Sequence, residues 1–272
     1  MSSRDTPLRV VVFTGGAVLE DDCVHFIGRL VARPEIELAG VFCEAPSTGL
    51  RGVVHDLWRR RRWLAPLLLT QRGLRRAVRI LTAPRAEIDR RRMLRKLRRQ
   101  LHVVDNLHAD AVVAAVAKLQ PALGAVYGGP ILRPVLFRTP ALGTLGIHHG
   151  LLPNYRGKKT TFWAMYNGEP RVGVAVQKIG AGLDRGDVLR EATIPTGRTP
   201  LPLVNRRLQR LGIDLFVAAI LSVQRGTDRY RTQAPGTGRL YRDPGVRDIA
   251  RFWLRYLGRV WGFGGSPRCR GA

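Results

Sequence analysis

Residues 143–157 read Gly-Thr-Leu-Gly-Ile-His-His-Gly-Leu-Leu-Pro-Asn-Tyr-Arg-Gly. Leu145–His148 has the apolar character of a short buried strand ending on a histidine, and Gly150, Pro153 and Gly157 interrupt any continuation. Ligands in open α/β sheets bind outside the carboxyl ends of strands, so His148 there offers an imidazole to a ligand. An imidazole ordinarily titrates near neutrality, which suits it to proton transfer. Downstream, the loop Gly180–Asp187 sets Asp184 and Asp187 among glycines, from which a carboxylate can reach that histidine and hold its imidazolium. An acyl transfer additionally needs a group that stabilises the developing oxyanion. Taken alone, the same residues also read as a structural His148-His149 pair and as turn aspartates. No third ligand at a recognisable spacing points to a metal.

Outward from this stretch, the pattern is α/β. Arg9–Phe13 is a β-branched run entering a glycine turn, Glu20–Ala32 has apolar residues at helical spacing, and Ile36–Phe42 is a second strand. This βαβ opening predicts a doubly wound, mostly parallel, Rossmann-like sheet. The lone Gly-Gly after the first strand is no dinucleotide fingerprint. Strands are expected at His102–Asn106, Ala122–Tyr127, Leu145–His148 and Val172–Ile179, and helices at 109–119, 160–167 and 203–223. Residues 1–225 read as one catalytic-type domain carrying a basic helical insertion over 47–101. Residues 226–272 read as a short, basic, amphipathic helical tail.

The 272-residue chain has a net charge of +26, and 41 of its 46 basic residues are arginine because only five are lysine. Such a surface attracts nucleic acid, anionic lipid or phosphorylated substrates; an arginine-favouring genome is the compositional alternative. Residues 51–100 hold 17 Lys/Arg against Asp56, Glu87 and Asp89, which is +14 and more than half the excess. No run of 18 apolar residues predicts a membrane span, and no signal peptide is legible, so a cytoplasmic location is expected. Cys23, Cys43 and Cys269 match no metal spacing and read as reduced thiols.

The ordered set is more specific than its parts. Gly143-x-x-x-Ile147-His148-x-x-Leu151-Leu152-Pro153-x-Tyr155-Arg156-Gly157, Asn167-Gly168-Glu169, Gly173-Val174 and Leu183-Asp184-x-Gly186-Asp187 together resemble the folate-dependent formyltransferase family. The resemblance is strongest over residues 121–200. That family includes methionyl-tRNA formyltransferase, glycinamide ribonucleotide transformylase and sugar N-formyltransferases. The resemblance implies transfer of a formyl group from 10-formyltetrahydrofolate to a primary amine, with His148 as the catalytic histidine and Asp184 as its acidic partner. It also implies a pterin pocket with Pro130, Ile131 and Leu132 on one side and Ile179 and Gly182 on the other. His149, Tyr155, Arg156, Lys158 and Lys159 are then expected toward the acceptor. An amino sugar or nucleotide-linked amine is the favoured acceptor, with methionyl-tRNA and glycinamide ribonucleotide as alternatives.

One departure bears on the chemistry. Where the family has an asparagine two residues before the histidine, this chain has Gly146; where it has a serine two residues after, this chain has Gly150. The asparagine is expected to donate to the oxyanion, and losing such a donor costs about 2.7–4 kcal/mol of transition-state stabilisation. His149 and Lys158 are the sequence's candidates for a replacement. A changed reaction, or a fold retained to bind a ligand or an anionic surface, is the alternative.

Lys158-Lys159-Thr160 precedes a helix and suits a phosphate; a solvated basic turn is the other reading. The run Trp58–Leu69 and the segment Arg251–Trp261 place aromatic and aliphatic residues beside arginines. In Arg251–Trp261, Phe252, Trp253, Tyr256, Leu257, Val260 and Trp261 share one helical face, and Arg251, Arg255 and Arg259 form a stripe on another. Three partners fit these basic segments: their own domain, an anionic membrane at the inner face, or RNA phosphates.

Overall fold

In the computed structural model the described residues are 6–15, 21–45, 84–234 and 236–261. The chain divides into two compact units, residues 1–143 and 144–272. Most of the 47–101 segment, and Cys269, lie outside the described residues; within them Pro84–Lys96 is a helix (α2). Cys23 and Cys43 are buried thiols.

The first unit is built on parallel pairing. Strands β1 (Leu8–Gly15), β2 (Ile36–Glu44), β3 (Leu101–Val104) and β4 (Leu123–Val126) stand in the order β3-β2-β1-β4. Val10, Val11, Val12 and Phe13 of β1 are fully buried. A strand buried on both faces needs such a continuous apolar run. Helix α1 (Asp21–Val31) lays Cys23, Val24, Phe26, Ile27 and Leu30 on the core, and Asp21 and Asp22 in its first turn complement the helix dipole. Helix α3 (Asp110–Lys118) precedes β4, and the short α4 (Pro134–Phe137) follows the loop that leaves it.

The second unit is antiparallel where it pairs. Strands β5 (Thr144–His148), β7 (Arg171–Lys178) and β8 (Val188–Pro195) stand in the order β5-β7-β8. The fold is therefore α/β and mostly parallel, as expected, with an antiparallel section made by the β7–β8 hairpin. Helices α5 (Thr160–Tyr166) and α6 (Leu201–Gln224) supply Phe162, Met165, Val204 and Leu208 to a core that also holds Val172 and Val174 of β7. A small parallel pair, β6 (Tyr155–Gly157) with β9 (Arg239–Tyr241), is not legible in the sequence.

The final helix α7 (Val246–Trp261) begins five residues earlier than its apolar pattern suggests. Its face is also divided differently. Phe252 and Tyr256 are buried, Phe252 within the core cluster of α5 and α6, whereas Trp253, Leu254 and Leu257 are exposed. Positions 252 and 256 lie a turn apart on one line, and 253 and 257 lie on the next. Arg255 is no free member of a basic stripe: its Nη1 donates to the Tyr166 carbonyl at 3.3 Å and its guanidinium lies 5.0 Å from the Tyr166 ring.

Candidate active site

Strand alternation puts Gly146 and His148 on one face of β5. His148 is 8% exposed. Its Nδ1 lies 3.4 Å from Asp184 Oδ1, and its Nε2 is 2.7 Å from the Tyr155 carbonyl oxygen. Both ring nitrogens thus face acceptors, and the fold brings the expected histidine and aspartate together across 36 residues of sequence.

Asp184 is held from several sides. It adopts left-handed backbone (φ 51°), a conformation aspartate tolerates better than most residues. The Gly157 N–H donates to Oδ2 at 2.8 Å and the Gln177 amide donates to Oδ1 at 2.9 Å. Gln233 Nε2 bonds the Asp184 carbonyl at 3.2 Å and the Gly186 carbonyl at 2.7 Å, closing the loop behind it. Gly186 is required here, because a Cβ would fall on the Lys178 carbonyl oxygen. The sequence Leu-Asp-x-Gly-Asp is therefore a loop pressed onto β7 that aims one carboxylate.

Gly150 has a comparable reason. A Cβ there would stand 2.5 Å from the Tyr155 oxygen and 2.7 Å from His148 Nε2. A serine at this position collides with the imidazole as it is seated.

Tyr155 offers its backbone rather than its hydroxyl. Its side chain is buried, its hydroxyl donates to Glu169 at 2.7 Å and accepts from Asn167 at 3.1 Å, and its ring stacks on Tyr241 at 5.2 Å. Burial raises its pKa above the usual phenol range. Asn167-Gly168-Glu169 thereby anchors the residue whose carbonyl holds His148. Arg156 is also buried and donates to the Gly238 carbonyl at 3.0 Å.

Neither replacement donor suggested by the sequence addresses the His148–Asp184 pair. β5 ends at His148, and His149 turns its ring toward α6, where its Nε2 would lie 3.7 Å from a Cβ at Gly212. Burial, then the neighbouring His148, holds the His149 pKa down to about 4. Lys158 turns to the surface and pairs with Asp243 at 3.3 Å. Lys159 instead lines a cavity with His149, so the two lysines do not converge.

The group the sequence did not single out is Gln177. It is directly opposite Gly146 in the β5–β7 register, 3% exposed, and its Oε1 is buried without a partner. Cross-strand partners share a face of the sheet, so its carboxamide stands on the face of His148. Its only sequence signal is one polar residue closing the apolar run Val172–Val176.

The remaining expected positions are described within their own units. In the first, Ile131 is 74% exposed and Leu132 buried in the loop leaving β4, and the Arg133 N–H beyond them donates to His108 Nε2 at 3.0 Å. In the second, Ile179 donates its N–H to the Thr144 carbonyl at 2.7 Å, Gly182 is exposed, and Leu183 is 43% exposed beside Asp184.

Comparison with known proteins gives the family and the fold. The formyl transferase family model matches residues 81–220, and the chain belongs to that family. It is 36% identical over 152 residues to a methionyl-tRNA formyltransferase of Roseiflexus sp. (strain RS-1), covering 53% of this chain and 46% of that protein. The chain matches between 28% and 50% of the length of such curated relatives. Its fold is similar to that of phosphoribosylglycinamide formyltransferase from Anaplasma phagocytophilum, with a TM-score of 0.59 and 13% identity over 88% of this chain and 100% of that one. It is also similar to HypX from Aquifex aeolicus in complex with tetrahydrofolic acid, with a TM-score of 0.54 and 15% identity over 91% of this chain and 34% of that one.

Proposed function

We propose that the protein transfers a formyl group from 10-formyltetrahydrofolate to a primary amine, and that Gln177 supplies the carboxamide that Gly146 lacks. The observation that carries this reading is the buried His148–Asp184 pair, set at 3.4 Å with both carboxylate oxygens hydrogen-bonded. Within the second unit, the apolar side chain of Leu183, beside Asp184, is 43% exposed and suits the flat face of a pterin. When bound, the cofactor supplies the formyl group; the chain's residues do the rest. Neutral His148 carries one N–H and takes the proton released by the attacking amine at its other ring nitrogen; Asp184 then stabilises the imidazolium at Nδ1, the Tyr155 carbonyl accepts from Nε2, and Gln233 holds the Asp184 loop. Gln177 orients Asp184 with one amide hydrogen and has a second amide hydrogen for the oxyanion.

The favoured acceptor is an amino sugar or nucleotide-linked amine. Methionyl-tRNA and glycinamide ribonucleotide are the competing acceptors, named by the relatives. The test is calorimetric binding of a stable formylated folate analogue, followed by turnover against all three acceptor classes. Binding at micromolar affinity with turnover abolished in His148→Ala supports the reading; no binding by folded protein removes it.

A second reading concerns location, and α7 favours it. Val246 is 85% exposed, Leu254 71% and Leu257 47%, and Arg247 and Arg251 stand beside them. Such a helix suits peripheral attachment to an anionic membrane. Among the described residues no helix is long and apolar enough to cross one.

A further inference from the structure

Within the first unit, one imidazole ties the loop that leaves β4 to the segment between β3 and α3. His108 Nε2 accepts the Arg133 N–H at 3.0 Å. Arg133 closes that loop: it precedes Pro134, the first residue of α4, and its carbonyl accepts from Leu136 and Phe137. The near end of the loop is packed instead. A Cβ at Gly15 would stand 3.1 Å from Pro130, and one at Gly129 would stand 3.3 Å from the Thr14 Cα.

His108 is itself braced. Its N–H donates to Asn106 Oδ1 at 2.9 Å, and the neighbouring Leu107 N–H donates to Glu44 Oε2 at 2.9 Å. The Leu107 side chain is fully buried, and Glu44 is the last residue of β2. The ring therefore stands on a fixed base and holds the far end of the loop.

An imidazole accepts at Nε2 only when it is neutral, with its hydrogen on Nδ1. Protonation turns Nε2 into a donor, and two N–H groups then oppose each other. Two charged groups act on the ring from other elements: the Arg133 guanidinium of the loop and the Glu44 carboxylate of β2. Asp105 and Asp110 lie on its own segment. Burial, then Arg133, lowers the His108 pKa from its ordinary 6.5, against the opposing pull of Glu44. The tie is complete above pH 6.5 and is lost as pH falls through the lower folded value.

We infer that His108 is a positioning residue for the donor cofactor: its neutral ring holds the Arg133 N–H and so fixes residues 128–133, and its protonation frees them. This rests on the reading that Pro130, Ile131 and Leu132 receive the pterin. It uses neither the His148–Asp184 pair nor the acceptor amine.

The experiment measures calorimetric binding of a stable formylated folate analogue to the full chain from about pH 7.5 to about pH 5. Wild type, His108→Gln and His108→Leu are compared. His108→Gln offers a carboxamide oxygen near the place of Nε2, and that oxygen stays an acceptor at every pH in the range. At the upper pH it should bind as wild type does, and His108→Leu should bind about three- to tenfold more weakly, the worth of one lost hydrogen bond. On acidification the wild-type affinity should fall toward that of His108→Leu, whereas His108→Gln should lose less by about the same factor. Wild-type affinity in His108→Leu, or parallel pH profiles for wild type and His108→Gln, overturns the inference. Should a variant fail to fold, NMR titration of the wild-type ring decides. The bound analogue must then lower the His108 pKa, and an unchanged or raised value overturns the inference. If folded wild type binds no analogue, the folate reading falls and hydrogen exchange judges the tie by itself. The Arg133 amide must exchange faster in His108→Leu than in wild type and His108→Gln, and equal rates overturn it.

Discussion

Gln177 stands directly across the antiparallel β5–β7 ladder from Gly146 and donates to Asp184 Oδ1 at 2.9 Å. The strand that carries the histidine has lost a carboxamide, and the neighbouring strand presents one on the same face. Gln177→Ala is therefore expected to lower kcat/KM for formyl transfer by about 10²–10³, the effect of removing one oxyanion-directed donor. Adding Gly146→Asn to that variant should restore at least part of the loss, because it returns an amide from the facing position. A Gln177→Ala enzyme with wild-type kcat/KM would show that the cross-strand amide plays no part.

Gly150 is the second departure from the family pattern, and it is explained by the seat of His148. With a Cβ only 2.7 Å from Nε2, Gly150→Ser must displace the imidazole from the Tyr155 carbonyl. Overpacking of this kind destabilises by about 1–3 kcal/mol. Urea denaturation should show that loss, and turnover should fall with it. A Gly150→Ser protein of unchanged stability and activity would mean that the ring relaxes freely.

His149 should leave a mark on acid stability. Its folded pKa of about 4 lies below the ordinary 6.5, so unfolding takes up a proton between those values. The stabilisation is fully present above pH 6.5 and is lost as pH falls toward 4. Between pH 7.5 and 4.5 the wild-type chain should lose about 2–3 kcal/mol more unfolding free energy than His149→Gln. Parallel pH profiles for the two proteins would exclude a buried neutral His149.

The exposed line of α7 predicts salt-sensitive binding to anionic vesicles. Flotation with vesicles of about 30 mol% phosphatidylserine should carry the protein up, and neutral vesicles should not. Leu254→Asp with Leu257→Asp should abolish flotation without unfolding the chain, since both residues are exposed. Flotation unaffected by these substitutions would assign the surface to another part of the protein.

Much of this protein is decided by order along the chain. The βαβ opening, the strand ending on His148 and the glycine-rich loop that carries Asp184 follow from local periodicity, turn chemistry and glycine placement, and the ordered motifs from Gly143 to Asp187 carry the resemblance to the family. What only the tertiary structure decided is which side chains meet. Gln177 becomes part of the site through its register opposite Gly146, and nothing within either strand specifies that pairing. His149 turns away from the histidine beside it because β5 ends there and α6 passes close by. Phe252 enters the core while Trp253 faces outward because one residue on a helix rotates a side chain by about 100°. Local patterns select elements, whereas register and packing between distant segments select partners, and the chemistry of this site resides in the partners.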